Sequence, residues 1–202
     1  MGIPREPFGK AQGYSYERSR VGRRRDYTRA PQMTKAYLLG LIHDATKRKT
    51  TYRIAQKNAD FLKLVSEQMK LLGIRSWIYK EGKLRNVWIL EFSSKFLDGT
   101  KIVNKQDKID YLRGYFDAEG GIAKLPSVRF YLYYCQKNKQ ELVQLKSYLE
   151  NLGISCGVIH NPSVMRDPDF WRFYVATHSH AKFARTIGSL HPDKWPLLRM
   201  KI

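Results

Sequence analysis

The sequence predicts an α+β fold made of two similar halves. Three observations predict it: two short apolar helices that each contain a glycine, a Gln-Lys-Asn motif that occurs twice, and a leucine-rich helix after each copy. Because the helical leucines keep the same spacing in both copies, the pattern indicates duplication of one ancestral unit.

The second glycine-containing helix covers residues 111–119. Gly114 and Ala118 lie four positions apart and form a narrow side that another backbone can approach closely. The wide side next to it holds Leu112, Tyr115, Phe116 and Glu119. Two glycines at 120 and 121 end the helix directly after Glu119. That acid therefore lies at the negative pole of the helix dipole, where an anion needs a nearby cation.

The first glycine-containing helix covers residues 36–46, and Gly40 takes the place of Gly114. Farther along, the motif of Gln56 recurs 80 positions later at Gln136. Each copy is followed by a helical pattern for which the Asn of the motif is the predicted N-cap. Both of these helices end in Leu-Gly-Ile, at 72–74 and 152–154.

Segments rich in β-branched and aromatic residues predict strands on either side of the leucine-rich helices. These segments are 50–55, 77–79 and 87–92 in the first half, and 128–135, 157–160 and 171–175 in the second. Each half therefore follows the order helix, strands, helix, strands, helix, which is an αββαββα-like unit.

Three regions follow from these patterns: a basic N-terminal arm at 1–33, a first half at 34–107 and a second half at 108–202. The arm carries Arg23, Arg24 and Arg25, which are expected to lie on phosphates. A disordered tail without function is the alternative.

The composition favours a polyanionic partner. The 202 residues include 37 Lys and Arg against 18 Asp and Glu, a formal net charge of +19. Nucleic acid is the first candidate, and an anionic membrane surface is its main competitor. Without an apolar run long enough for a bilayer or a segment resembling a secretion signal, a cytoplasmic or nucleoid location is expected. Cys135 and Cys156 are too few for a disulfide framework or a zinc site and are expected to be core thiols.

The nine residues from Leu112 to Gly120 resemble the signature of the LAGLIDADG homing endonucleases, and the helix around Gly40 resembles a second copy. The resemblance implies a monomer in which two such helices pack side by side and two antiparallel, saddle-shaped sheets curve over DNA. It also implies that Glu119 binds a divalent metal beside the scissile phosphate. Met1 and a freestanding start favour an intron-encoded protein over an intein.

The first motif departs from the family pattern at its acid. Aligned on the two glycines, Ala45 falls opposite Glu119, and Asp44 falls opposite Ala118. On an ideal helix Asp44 would point away from the site, but a tightened last turn would bring it in. We therefore expect Glu119 and Asp44, with the backbone carbonyls of Ala45 and Ala118, to hold two or three Mg²⁺ or Mn²⁺ ions. The rival hypothesis is a degenerate first half and a single competent site.

Four further polar residues are expected near the reaction because the duplication repeats them. Gln56 and Gln136 end strands next to the site, and the resemblance implies that residues there lie near the attacking water. Lys108 and Lys194 match a basic residue that the family places near the scissile phosphate, where an ammonium stabilises developing charge. Ordinary surface charge is the alternative for each lysine.

Base and phosphate contacts are expected from strand and loop side chains, since Arg and Asn are the usual readers of guanine and adenine edges. The candidates are Arg53, Lys57, Tyr79, Arg85, Asn86, Arg129, Tyr131, Tyr133, Arg166 and Arg172, together with the three arginines of the arm.

The sequence thus favours a site-specific endonuclease that binds a long double-stranded DNA target and hydrolyses phosphodiester bonds with divalent metal. Two alternatives from the same lineage stay open: an intron RNA maturase, and a nicking or non-cleaving DNA-binding protein. A basic ribosome-associated protein is the third, but such a protein has no reason to repeat the Gly, Gln and Lys positions.

Overall fold

The computed structural model of the chain describes residues 32–82, 85–125 and 127–202. The arm predicted at 1–33, with its three consecutive arginines, falls almost wholly outside these residues. Within them, no helix is long and apolar enough to cross a membrane.

The first half forms a four-stranded antiparallel sheet with helices packed on one face. Helix α1 (Lys35–Leu41) leads to β1 (Ala45–Lys47) and β2 (Thr51–Gln56), then α2 (Ala59–Leu71), β3 (Ser76–Lys80) and β4 (Trp88–Ser93). The strand order is β1-β2-β4-β3. The side chain of Asn58 accepts hydrogen bonds from the first backbone N–H groups of α2, which confirms it as the N-cap.

The second half repeats this plan with a smaller sheet. Helix α3 (Lys105–Glu119) runs straight into β5 (Gly120–Ile122), followed by β6 (Leu132–Gln136), α4 (Lys139–Asn151) and β7 (Trp171–Tyr174). The three strands are antiparallel in the order β5-β6-β7. Two short helices, α5 (His180–Thr186) and α6 (Trp195–Arg199), complete the chain. The α+β fold of two antiparallel halves predicted from the sequence is confirmed.

The helix predicted at 36–46 ends at Leu41, and Ala45 and Thr46 belong to β1. Three further predicted boundaries differ from the structure. Residues 157–160 do not form a strand: isolated bridges occur only at Cys156 and His160, and four residue steps between them face three between Val175 and Arg172, so an extra residue interrupts the ladder. The strand predicted at 128–135 begins only at Leu132, since Val128 donates to Leu125 in a turn. Helix α3 begins at Lys105, so the boundary predicted between 107 and 108 falls within its first turn.

Helices α1 and α3 cross at their glycines, which joins the two halves. A Cβ atom on Gly40 would overlap the carbonyl oxygen of Tyr111, and one on Gly114 would overlap that of Tyr37. Any larger residue at either position would push the backbones apart. The two glycines aligned in the sequence therefore mark the seam.

The segment from Ile187 to Lys194 returns from the second half and packs across this seam. Leu190 lies in the hydrophobic core of the first half, and the ring of His191 stacks on Phe61 at 4.3 Å. Asn58 donates to both carboxylate oxygens of Asp193 at 3.2 Å. We call residues 187–194 the C-terminal strap.

Candidate active site at the helix seam

The turn after α1 and the last turn of α3 line one cavity of about 540 Å³; Glu119, which follows Ala118, lies next to this lining and not in it. Its lining combines the end of the first helix, the end of β2, the last turn of α3 and the C-terminal strap. The polar side chains are supplied by Asp44, Gln56, Lys57, Lys124 and Lys194, among others, and Ala118 contributes to the floor. Asp44 and Gln56, both expected at the active site from the sequence, therefore line the same cavity.

Asp44 reaches the cavity because the chain tightens after α1. Residues Ile42–Asp44 form a 3₁₀ turn, which rotates Asp44 relative to its position on a continued α-helix. Gln56 Nε2 donates to Asp44 Oδ2 at 3.1 Å. A tightened last turn is thus present, which is the condition that the sequence analysis set for Asp44 to reach the site.

The contacts of His43 explain why the turn at Ile42–Asp44 tightens. Its ring lies 4.4 Å from that of Tyr115, and its Nε2 is 2.8 Å from the Tyr111 hydroxyl. Its Nδ1 lies 3.3 Å from the carboxylate of Glu141. Because His43 is anchored in the second half, the next residue, Asp44, is directed to the opposite side, into the cavity. The sequence placed His43 only at a helix end and did not identify this role.

Glu119 is the last residue of α3 and lies close enough to Asp44 for the two charges to interact. Burial and the Asp44 carboxylate raise the pKa of Glu119 to about 7, against the opposing effect of the Lys194 ammonium. Burial likewise raises the pKa of Asp44, opposed by Lys194 and by the hydrogen bond from Gln56. Two acids that disfavour each other's charge form a site that a cation stabilises.

The glycines after Glu119 act through close approach. Gly120 has extended backbone angles, φ −82° and ψ 147°, and a Cβ there would collide with Phe116. A Cβ on Gly121 would overlap the ring of Tyr133. The chain can therefore turn from helix to strand in one step, and Glu119 stays at the mouth of the seam.

The two repeated glutamines occupy equivalent places, at the last residue of β2 and of β6. Gln56 is bonded to Asp44, whereas the side-chain oxygen of Gln136 accepts from the backbone N–H of Lys137. The two glutamines thus have different partners although their positions in the halves are the same.

The two repeated lysines are separated by the structure. Lys194 lines the cavity, but Lys108 lies in the first turn of α3, eleven residues before Glu119 and about 16 Å away along the helix axis. The Lys108 ammonium lies 5.2 Å from the centre of the Tyr148 ring. The expectation of a phosphate contact for Lys108 is therefore corrected: the aligned Asp-Lys pairs belong to different elements, the start of α3 and the end of the strap.

Asp117 is a buried acid that the sequence analysis did not single out, with only 1% of its surface exposed. It accepts hydrogen bonds from the Tyr37 hydroxyl at 2.7 Å, from the Leu190 N–H at 2.9 Å and from the Ser189 hydroxyl. Burial raises the pKa of Asp117. This carboxyl ties α1, α3 and the strap together, and its position inside an apolar motif was the available signal.

The expected DNA-contacting residues lie on both sheets, in different surroundings. On the first sheet Arg53 donates to the Tyr79 hydroxyl and lies 3.5 Å from Glu81 and 3.7 Å from Glu91. On the second sheet Arg172 lies over the rings of Tyr133 and Tyr174, at 5.9 and 5.1 Å.

The remaining candidates are spread over the surface. Tyr131 contacts the Tyr133 ring, Arg129 donates to the Thr177 hydroxyl, Arg85 pairs with Glu81, and Lys57 lines the cavity. Asn86 and Arg166 are exposed. The arginines at 23–25 lie outside the described residues.

The donor set suits a hard divalent cation. Asp44 and Glu119 supply carboxylate oxygens, and such ions take only one or two carboxylates from protein and complete their shell with water and phosphate oxygens. Ala118 lines the cavity beside them, while Ala45 is paired in β1 with Ile54. Across the described part of the chain, no cluster of three His, Cys, Asp or Glu side chains forms a self-sufficient metal cage.

Two glycine-crossed helices that carry acids at their ends lie between two antiparallel sheets, as the resemblance to the LAGLIDADG family implied. Residues 106–188 match the sequence model of the LAGLIDADG-like domain. The match covers less than half of the chain, and over these residues it confirms the resemblance inferred from the short motifs.

The structure resembles that of I-DmoI in complex with DNA and Mn, with a TM-score of 0.56 and 25% identity over 78% of this chain and 97% of that one. Mesophilic variants of the homing endonuclease I-DmoI give a TM-score of 0.62 at 24% identity, covering 82% of this chain and 96% of theirs. Full-length DUF199/WhiA from Thermatoga maritima gives 0.63 at 17% identity, covering 83% of this chain and 58% of that one, which is a likeness of fold. No curated protein matches the chain by sequence.

Proposed function

We propose that this protein is a site-specific homing endonuclease that binds a long double-stranded DNA target as a monomer and hydrolyses its phosphodiester bonds with divalent metal. One observation carries the proposal: Asp44 and Glu119, from different halves, meet at the seam, and burial together with mutual repulsion raises the pKa of Glu119 to about 7. Such a pair has an energetic reason to bind a cation and no evident structural use.

The described residues divide the work of the reaction. A divalent cation at the two acids would neutralise charge on the phosphate and activate water for attack. Gln56, bonded to Asp44, would orient that water, and Lys57 and Lys124, which line the cavity, would bind the phosphate oxygens. The net charge of +19 favours the approach of the polyanion. Homing of an intron and a nucleoid location are part of the same proposal.

The first test is cleavage of a plasmid that carries the rejoined DNA flanks of the gene. The expected result is linear product with Mg²⁺ or Mn²⁺ and none with EDTA. Glu119→Gln and Asp44→Asn should each lower the rate by about 100-fold or more, since each removes a carboxylate from the metal site. Glu67→Gln, an exposed acid on α2, is the matched control and should cleave like the parent.

The asymmetry of the two acids gives the assay a second readout. If only Glu119 supports a competent site, nicked circles accumulate and Asp44→Asn has no effect, which identifies a nickase. Unchanged cleavage by Glu119→Gln would contradict the assignment of the active site.

A non-cleaving DNA-binding protein is the second candidate, and the likeness to DUF199/WhiA in fold is the observation that favours it. Tight binding to the rejoined flanks without cleavage under any metal would support it. Binding and accelerated splicing of the intron transcript would instead support the maturase.

A further inference from the structure

The ammonium of Lys194 is fully used by the backbone. Its Nζ donates to the carbonyl oxygens of Phe116 at 2.6 Å, Asp117 at 3.0 Å and Gly120 at 2.7 Å. A lysine ammonium has three donors and no acceptor, so these three bonds exhaust it. It has no donor left for a DNA phosphate while they last.

The accepting carbonyls explain why a lysine is needed. The last carbonyls of a helix have no partners within it, and many helices satisfy them with a left-handed residue after the last turn. Here Gly120 is extended and enters β5 at once, so its N–H satisfies only Phe116. The Lys194 ammonium supplies a donor for the Asp117 carbonyl, adds a second one at Phe116, bonds the Gly120 carbonyl beyond the helix, and places a positive charge at the negative end of the helix.

Lys194 is itself held by the C-terminal strap. Its backbone N–H donates to the His191 carbonyl at 3.0 Å, and its ammonium lies 5.0 Å from the centre of the Phe116 ring. Asp117 bonds the Ser189 and Leu190 end of the strap to the same turn of α3. The strap thus fixes the last turn of α3 at two points.

We propose that Lys194 is a positioning residue, which caps the C-terminal end of α3 and so fixes the Glu119 carboxylate for the metal, and that it does not contact the DNA phosphate. The inference rests on the proposed function for the role of Glu119, but the capping itself is independent of cleavage.

The decisive variant is Lys194→Met, which keeps the length of the side chain and removes its donors. Lys105→Met, an exposed lysine in the first turn of the same helix, is the matched control. Backbone amides of 119–122 should exchange with deuterium about tenfold faster in Lys194→Met and unchanged in the control, because the helix end opens locally. Affinity for a mixed-sequence 30-bp duplex should stay within about twofold of the parent, once corrected for one lost charge with the control.

Binding of Mn²⁺, followed by electron paramagnetic resonance without DNA, separates positioning from simple electrostatics. Loss of a cation beside two acids would by itself strengthen Mn²⁺ binding, whereas a displaced Glu119 weakens it. We expect a loss of about tenfold. Unchanged or stronger Mn²⁺ binding with unchanged exchange would overturn the proposal. If the parent itself binds no Mn²⁺, the proposed function fails, while the exchange data still decide on the cap.

A measurement on the unaltered protein covers the case in which Lys194→Met does not fold. Acetylation followed by mass spectrometry should modify Lys194 slowly in the free protein, and the duplex should not change its rate. Rapid modification comparable to Lys105, with protection by the duplex, would identify a phosphate contact and overturn the proposal.

Discussion

The two halves hold their acids at one seam by different means. In the first half, Asp44 lies on a 3₁₀ turn that is anchored across the seam by His43. In the second half, Glu119 ends a regular fifteen-residue helix whose last turn is capped by Lys194. The comparison teaches that a duplicated site can keep its geometry while the local structure that supports it diverges, since what the chemistry requires is the position of the carboxylates.

The largest effect is expected at the feature that the halves share, the glycine crossing. Gly114→Ala should lower the free energy of unfolding by about 3 kcal/mol and abolish cleavage, because the new methyl group meets the Tyr37 backbone. Gly157→Ala is the matched control, since its Cβ would lie at an ordinary 3.6 Å from the nearest atom. Urea unfolding measures both. Equal stabilities would mean that the helices do not cross at these glycines.

The next largest effect is expected at His43, which anchors the turn of the first half. His43→Phe keeps a ring against Tyr115 but removes the bonds to Tyr111 and Glu141. We expect a loss of roughly 1–2 kcal/mol in stability, as for partly buried groups left without a partner. The rate of DNA cleavage should fall because Asp44 is displaced, while the affinity for DNA should be retained. A crystal structure or exchange data that show residues 42–45 unchanged would refute this explanation of the turn.

Removing the charge of Glu119 should stabilise the metal-free protein, whereas the two substitutions above destabilise it. Its pKa of about 7 in the folded protein exceeds that of an unfolded glutamate, so metal-free stability should fall as pH rises from about 4.5 through 7. Glu119→Gln should remove this dependence and stabilise the metal-free protein at pH 8 by roughly 1–2 kcal/mol, allowing for solvent screening. Thermal unfolding in EDTA at pH 5 and pH 8 measures it, with Glu67→Gln as control. A destabilised Glu119→Gln would contradict the strained acid pair.

The smallest effect is expected from substituting the arginines on the two sheets, which should change the salt dependence of DNA binding. Arg53 is paired with Glu81 and Glu91, whereas Arg172 has no acid within 4 Å in the part of the chain that the structure describes. Arg172→Ala should therefore lower the slope of log affinity against log salt by about 1, and Arg53→Ala by less. Fluorescence anisotropy with a mixed-sequence duplex measures both slopes. A larger change for Arg53→Ala would show that its acid partners release it on binding.

Periodicity and repetition predicted most of the helices and strands. The Gln-Lys-Asn copies located β2, β6 and the caps of α2 and α4, because strand ends and N-caps are set by local chemistry. The same reasoning did not separate Lys108 from Lys194, because a short repeated motif does not say which of its copies lies at the cavity. It also predicted a strand at 157–160, where the structure has only isolated bridges at Cys156 and His160.

The sequence by itself determined the duplication, the glycine seam, Glu119 as the acid of the second motif and the basic surface, because spacing, side-chain size and net charge are properties of the chain. Only the tertiary structure decided that Asp44 lines the cavity at the seam, near enough to act on the charge of Glu119, and that Asp117 and Lys194 bind the strap to the end of α3. These outcomes depend on contacts between residues about 70 to 80 positions apart in sequence, such as His43 with Tyr111 and Lys194 with Phe116. The contact of His43 forms only when the two halves pack, and that of Lys194 only when the end of the second half folds back onto α3; no local pattern encodes either.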